Sequence, residues 1–134
     1  MQAEAYLDRI GYQGPREPTA DALRQLHRAH LLTVAFENLD IQLGRSIVLS
    51  LPSIYRKVVL HRRGGFCYEL NGLFGWLLEQ LGFSVKKLSA RVLEGNQLGS
   101  EFDHLILLIQ LKERWIADVG FGDSFLEPLQ LYSE

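Results

Sequence analysis

The residues best equipped for chemistry lie in Arg62-Arg63-Gly64-Gly65-Phe66-Cys67-Tyr68-Glu69-Leu70-Asn71, where the only cysteine of the chain follows two glycines. Beyond it, Leu70, Phe74, Leu77, Leu78 and Leu81 recur at spacings of three and four and Gly82 ends the run, so the spacing predicts a helix that begins at Cys67. A thiol at a helix N-terminus meets unpaired backbone N–H groups and the positive end of the helix dipole. Both favour the thiolate, and the expectation is a pKa about one unit or more below the ordinary value of about 8.5. Arg62 and Arg63 act in the same direction if they lie close. A lone cysteine is also among the residues most often buried as a small hydrophobe. The two glycines weigh against that reading, because they permit a sharp turn and the close approach of a ligand, which a core cysteine does not require.

A thiolate nucleophile works with an imidazole that exchanges its proton and a third group that orients the imidazole. Of the four histidines, His27 and His30 fall in a helical run from Ala20 to about Leu32 and read as helix-surface or core-edge residues. His61 adjoins Arg62 and Arg63 in a basic connection. His104 is set apart by its neighbours, because Asp103 to Val119 alternates as a β-hairpin with its turn around Lys112-Glu113. The odd positions Leu105, Leu107, Ile109, Trp115, Ala117 and Val119 are all apolar, and His104 and Asp118 share the other face. With Gln110 opposite Arg114 across a three-residue loop, Asp118 faces Ile106, at a diagonal of about 7 Å from His104 that side chains bridge. A two-residue loop would instead place Trp115 and Val119 beside His104. Asp103, the strand neighbour of His104, points the other way. Cys67, His104 and Asp118 together suggest covalent acyl transfer. Spacing alone leaves a chance combination of Cys, His and Asp as an open alternative.

These residues carry a family resemblance. Arg63-Gly64-Gly65-Phe66-Cys67-Tyr68-Glu69-Leu70-Asn71, His104-Leu105 and Asp118-Val119-Gly120-Phe121-Gly122, with Phe36-Glu37-Asn38-Leu39 upstream, resemble the arylamine N-acetyltransferase family in order and spacing. The resemblance implies a ping-pong reaction in which the cysteine takes acetyl from acetyl-coenzyme A and passes it to an arylamine, arylhydrazine or N-hydroxyarylamine. It implies His104 as the partner of the thiolate, Asp118 as the group that sets the imidazole tautomer, and the Cys67 backbone N–H as an oxyanion donor. It further implies Phe36, Val92 and Phe121 as acceptor-pocket residues and Gly120 and Gly122 as a turn near the coenzyme, with no metal involved. Family members continue into the rest of a β-barrel and a third domain, so a chain of 134 residues is expected to lack that part, with impaired turnover. Two other classes stay open: a cysteine hydrolase using the same three residues, and a catalytically silent remnant that binds a ligand or partner chain.

The positioning elements follow from the pattern. A helix over about Ala3 to Ile10, a second capped by Thr19, and a third started by Pro52 and running to about Leu60 precede the cysteine helix. Phe36 to Ser50 reads as irregular with a short strand near Asp40 to Leu43. Helical periodicity gives way to strand alternation at Gly82, which predicts a helical bundle over residues 1–82 and an antiparallel β subdomain over 83–134, an α+β class. Phe83 to Leu93 reads as a strand, Glu94 to Gly99 as a turn, and Leu129 to Leu131 as the start of another strand. The layout resembles the bundle and partial β-barrel of the family, in a cysteine-protease-like arrangement, and an incomplete barrel predicts an open edge and self-association. A hydrophobic content of 47% supports a real core, while a net charge of −2 gives no electrostatic basis for nucleic-acid binding. One cysteine excludes an internal disulfide, and no long apolar run or signal-like N-terminus is present, so the expectation is a cytoplasmic protein without membrane contact.

Overall fold

The computed structural model describes residues 1–132. Its first half is helical: α1 (Ala3–Arg9), α2 (Ala20–Thr33), α3 (Leu39–Gln42), α4 (Leu51–Tyr55) and α5 (Cys67–Gln80). Thr19 caps α2 by accepting the Ala22 N–H at 3.2 Å, and Ser50 caps α4 by accepting that of Ser53 at 3.4 Å. The helix expected from Pro52 to Leu60 is present in two parts, because α4 runs on into a π-helical turn over Arg56–Leu60. The Val58 carbonyl in that wide turn accepts from the buried Arg9 at 2.9 Å, and Arg9 also reaches the Thr33 and Arg62 carbonyls at 3.0 and 3.3 Å. One guanidinium thus joins α1, the end of α2 and the loop leading to Cys67. The strand expected near Asp40 to Leu43 is the helix α3 instead. The Glu37 carboxylate accepts the Leu39 N–H at 2.9 Å, which favours a helical start there.

The second half is β-structure. Strands β1 (Ser84–Ala90), β4 (His104–Gln110), β5 (Arg114–Ala117) and β6 (Leu129–Leu131) form one antiparallel sheet in the order β1-β4-β5-β6, which does not close. The strand expected to reach Leu93 stops at Ala90, and the expected turn from Glu94 to Gly99 is a separate ribbon of β2 (Leu93–Glu94) and β3 (Gln97–Leu98) around Gly95-Asn96. The β4–β5 register is the expected one, with Gln110 opposite Arg114 and Leu107 opposite Ala117. Leu107, Ile109, Trp115, Ala117 and Val119 are buried, while Leu105 is half-buried.

Helix α5 lies against β4 and β1, and its Leu70, Leu73, Phe74, Leu77 and Leu78 are fully buried in one core with Leu107 and Ile109 of the sheet and Leu23 and Leu26 of α2. His27 and His30 are core residues, not the surface or edge residues expected. Together with Leu23 and Leu26 they complete the i, i+3, i+4, i+7 stripe of α2. Tyr6 Oη meets His30 Nε2 at 2.8 Å, and burial, with the nearby His27 and Arg9, holds the His30 pKa down at about 3, so the ring is neutral. Among the described residues no helix is long and apolar enough to cross a membrane. Leu77→Ala removes a fully buried side chain from the core and is expected to lower unfolding free energy by about 2–5 kcal/mol in urea titrations.

Candidate active site

Cys67 is the first residue of α5, as the sequence predicts, and is half-buried. The glycines before it act differently from the expectation. Neither has a positive φ, both are buried, and a Cβ on Gly64 would collide with the Ala35 carbonyl. They admit a neighbouring chain segment and not a ligand: Gly65 N–H donates to Ala35 O at 3.3 Å and Glu37 N–H to Gly65 O at 2.8 Å, a short parallel pairing that sets Phe36 beside the cysteine loop. Arg63 turns to Glu37 and Asp40, at 2.8 and 3.0 Å, and its charge is matched there by carboxylates. Lys57 Nζ lies 3.0 Å from both Glu69 oxygens and 3.0 Å from Asp40, and Glu69 Oε1 accepts the Phe66 N–H at 3.3 Å. Bonds from Lys57 and Arg63 hold the Asp40 pKa at about 2. A buried carboxylate therefore caps the cysteine helix and is itself anchored by a lysine.

His104 and Asp118 meet in the opposite layer. His104 Nε2 lies 2.6 Å from Asp118 Oδ2, with both side chains buried. The other carboxylate oxygen, Oδ1, accepts from Asn71 Nδ2 at 2.8 Å and from the Gly120 N–H at 3.0 Å. Burial raises the Asp118 pKa, but the bonds from His104, Asn71 and Gly120 outweigh it and the carboxyl stays below its ordinary value. Burial likewise disfavours the charged imidazole, yet bonding to Asp118 and then to Cys67, with the negative charge on each, raises His104 to about 9. Nε2 belongs to Asp118, so Nδ1 is the nitrogen left for the sulfur.

One cleft of about 260 Å³ is lined by Cys67 and His104 together with Phe36, Val92, Gly120 and Phe121, as well as Glu94 and Asp103. Phe36 and Phe121 are 43% and 42% exposed, so they are walls and not core aromatics. The Phe121 ring stands edge-on to His104 at 5.2 Å. Gly120 is required by packing, since a Cβ there would lie 2.7 Å from Cys67 Cα. Gly122, with φ of +96°, sits next to the Phe36 ring, outside the cleft lining. Asp103, just before β4, borders the cleft, and its carboxylate lies against Gly99. His61 is exposed at the end of the π turn.

Two residues to which the sequence pattern assigns no role at the site, Asn71 and His27, hold Asp118 in place. Asn71 Nδ2 also donates to Leu105 O at 2.6 Å, and Asn71 Oδ1 accepts the Val119 N–H at 2.8 Å. Its signal was present, because Asn71 lies four residues after Cys67 and hence on the same helix face. His27 contacts the Asp118 backbone from α2.

A family model described as N-acetyltransferase matches residues 19–134. The arylamine N-acetyltransferase of Escherichia coli strain K12 is 44% identical over 132 residues, covering 96% of this chain and 47% of that protein. A solved arylamine N-acetyltransferase from Salmonella typhimurium superposes with a TM-score of 0.92 at 43% identity over 98% of this chain and 49% of its own. The Mycobacterium marinum enzyme solved in complex with CoA gives 0.91 at 38% identity, covering 99% of this chain and 52% of its own. The chain spans about half the length of the curated relatives it matches.

Asn71→Ala strands the Val119 N–H, removes the side-chain donor from the Leu105 carbonyl and leaves Asp118 Oδ1 with the Gly120 N–H alone, and is expected to cost about 2–4 kcal/mol in chemical denaturation. His104 gains its proton affinity on folding, from an ordinary 6.5 to about 9, so its contribution to stability is complete below pH 6.5 and is lost as pH rises through about 9. The stability difference between the parent and His104→Gln is expected to shrink over that range in urea titrations, and a difference that grows instead contradicts the pairing.

Proposed function

The chain belongs to the arylamine N-acetyltransferase family, and on that footing we propose that it transfers acetyl from acetyl-coenzyme A to an arylamine or arylhydrazine through a Cys67 thioester. The observation that carries the proposal is the single cleft that holds Cys67, His104 and two exposed aromatic rings, with His104 anchored from behind by Asp118. In this reading His104, charged at neutral pH, stabilises the Cys67 thiolate through Nδ1, while Asp118 keeps Nε2 occupied. The thiolate attacks the acetyl carbonyl, and the negative oxygen that forms is met by the Cys67 N–H in the first turn of α5. Collapse breaks the carbon–sulfur bond to the coenzyme, whose thiolate leaves with the His104 proton as the free thiol. The acceptor nitrogen then attacks the cysteine thioester, its surplus proton passes to His104, and the Cys67 thiolate is regenerated beside the imidazolium.

Phe36, Val92 and Phe121 receive the flat acceptor in this proposal, because exposed aromatic edges bordering the thiol offer stacking surface at little cost in rotamer entropy. Gly120 and Gly122 flank the coenzyme's thioester end. A thiol borne on a helix, a histidine at the start of β4 and an aspartate just past the end of β5 make a cysteine-protease-like arrangement adapted to acyl transfer. A single unpaired cysteine nucleophile suits a reducing cytosol. The proposal extends to self-association along the unpaired edge of β6.

Intact-mass measurement after mixing with acetyl-coenzyme A is expected to show gain of one acetyl group on Cys67, no gain in Cys67→Ser, and discharge of the adduct by an added arylhydrazine. A folded parent whose thiol reacts with iodoacetamide but never acquires acetyl refutes the transfer.

A further inference from the structure

His27 lies on α2 outside the cleft, fully buried, with both ring nitrogens engaged. Nδ1 is 2.9 Å from the Leu126 carbonyl oxygen, and Nε2 is 3.1 Å from the Asp118 backbone nitrogen. A carbonyl only accepts and an amide N–H only donates, so these partners specify the ring: proton on Nδ1, lone pair on Nε2, no charge. The ring also stacks on Phe125, with centroids 5.7 Å apart and planes 7° from parallel.

The bond falls where the sheet comes apart. Pairing of β4 with β5 ends at Leu107 and Ala117, and beyond that point side chains take the main-chain groups. Asn71 takes the Leu105 carbonyl and the Val119 N–H, and His27 takes the Asp118 N–H between them. The placement of the Asp118 carboxylate against His104, at 2.6 Å, follows from where its backbone leaves the ladder.

We infer that His27 is a positioning residue for the His104–Asp118 pair: as a neutral imidazole it holds the Asp118 main chain off the ladder and ties it to the Phe125–Leu126 segment. The inference rests on the reading of Cys67, His104 and Asp118 proposed above. An apolar residue at position 27 would leave the buried Asp118 N–H without a partner. A protonated His27 would present an N–H to that N–H. Asp118 and Glu127 attract a proton to the ring and His30 stands nearby as a second imidazole, but burial dominates and lowers the His27 pKa, so the lone pair is retained at neutral pH.

The test compares parent, His27→Leu and His27→Gln by NMR titration of His104 and by iodoacetamide alkylation of Cys67 against pH. In folded His27→Leu the His104 midpoint is expected to fall from about 9 by about one unit or more, with alkylation of Cys67 slowed most between about pH 8 and 9, where the parent still holds His104 charged and the variant does not. His27→Gln, whose amide oxygen can accept the Asp118 N–H, is expected to recover part of both. An unchanged His104 midpoint in the folded Leu variant overturns the inference, as does slowing that is equal at every pH. If His27→Leu does not fold, the His104 midpoint in His27→Gln and the parent's own ring decide. Multiple-bond proton–nitrogen spectra must then show His27 protonated on Nδ1, and a proton on Nε2 overturns the inference. A parent cysteine that alkylates like a free thiol defeats the ion-pair reading, while the His104 midpoints and the His27 tautomer still judge the positioning role.

Discussion

The contact on which the site depends is the 2.6 Å bond between His104 Nε2 and Asp118 Oδ2. Both groups are buried, where an unpaired charge is expensive, so each makes the other's ionised form tenable. The carboxylate cannot drift to another partner, because Asn71 and the Gly120 N–H occupy its second oxygen. Those two partners come from different elements, one from the helix that carries Cys67 and one from the segment that follows β5. The sulfur and the carboxylate are therefore placed by a shared piece of structure.

A second group of charges stands on the other side of the cysteine loop. Glu37, Asp40 and Glu69 converge on Lys57 and Arg63, joining the segment after α2, the π turn and the start of α5. Arg9 adds three bonds to carbonyls of the same region. A loop with two glycines has much conformational freedom to lose on folding, and this density of charge-assisted bonds opposes that loss. The cluster supports backbone geometry around the thiol rather than supplying charge to it.

Much of this was legible in the sequence wherever a period was strict. The alternation from Leu105 to Val119 gave the β4–β5 register, and with it the common face of His104 and Asp118. The three-and-four spacing after Cys67 gave α5, and Cys67, His104, Phe36, Val92, Gly120 and Phe121 indeed border one cleft. What stayed hidden depends on partners distant in the chain. The helix α3 starts on the Glu37 carboxylate, which Lys57 and Arg63 hold from later in the chain. The glycine pair suggests a sharp turn and room for a ligand, but the space is taken by Ala35 beside Gly64 and by Glu69 and Leu70 beside Gly65. His27 and His30 read from sequence as helix-surface or core-edge residues, and the packing of α2 takes both fully into the core beside Leu23 and Leu26.

The cleft walls and the reacting groups belong to different parts of the molecule. Phe36, Glu94 and Phe121 are exposed on loops or the small ribbon and carry little of the core, whereas His104, Asp118 and Asn71 are sealed in the seam between helix and sheet. Changes of size or polarity in the walls leave the seam's bonds intact. Evolution and protein engineering alike are thus free to retune what enters the cleft at small thermodynamic risk, while a substitution in the machinery below unpairs buried polar groups.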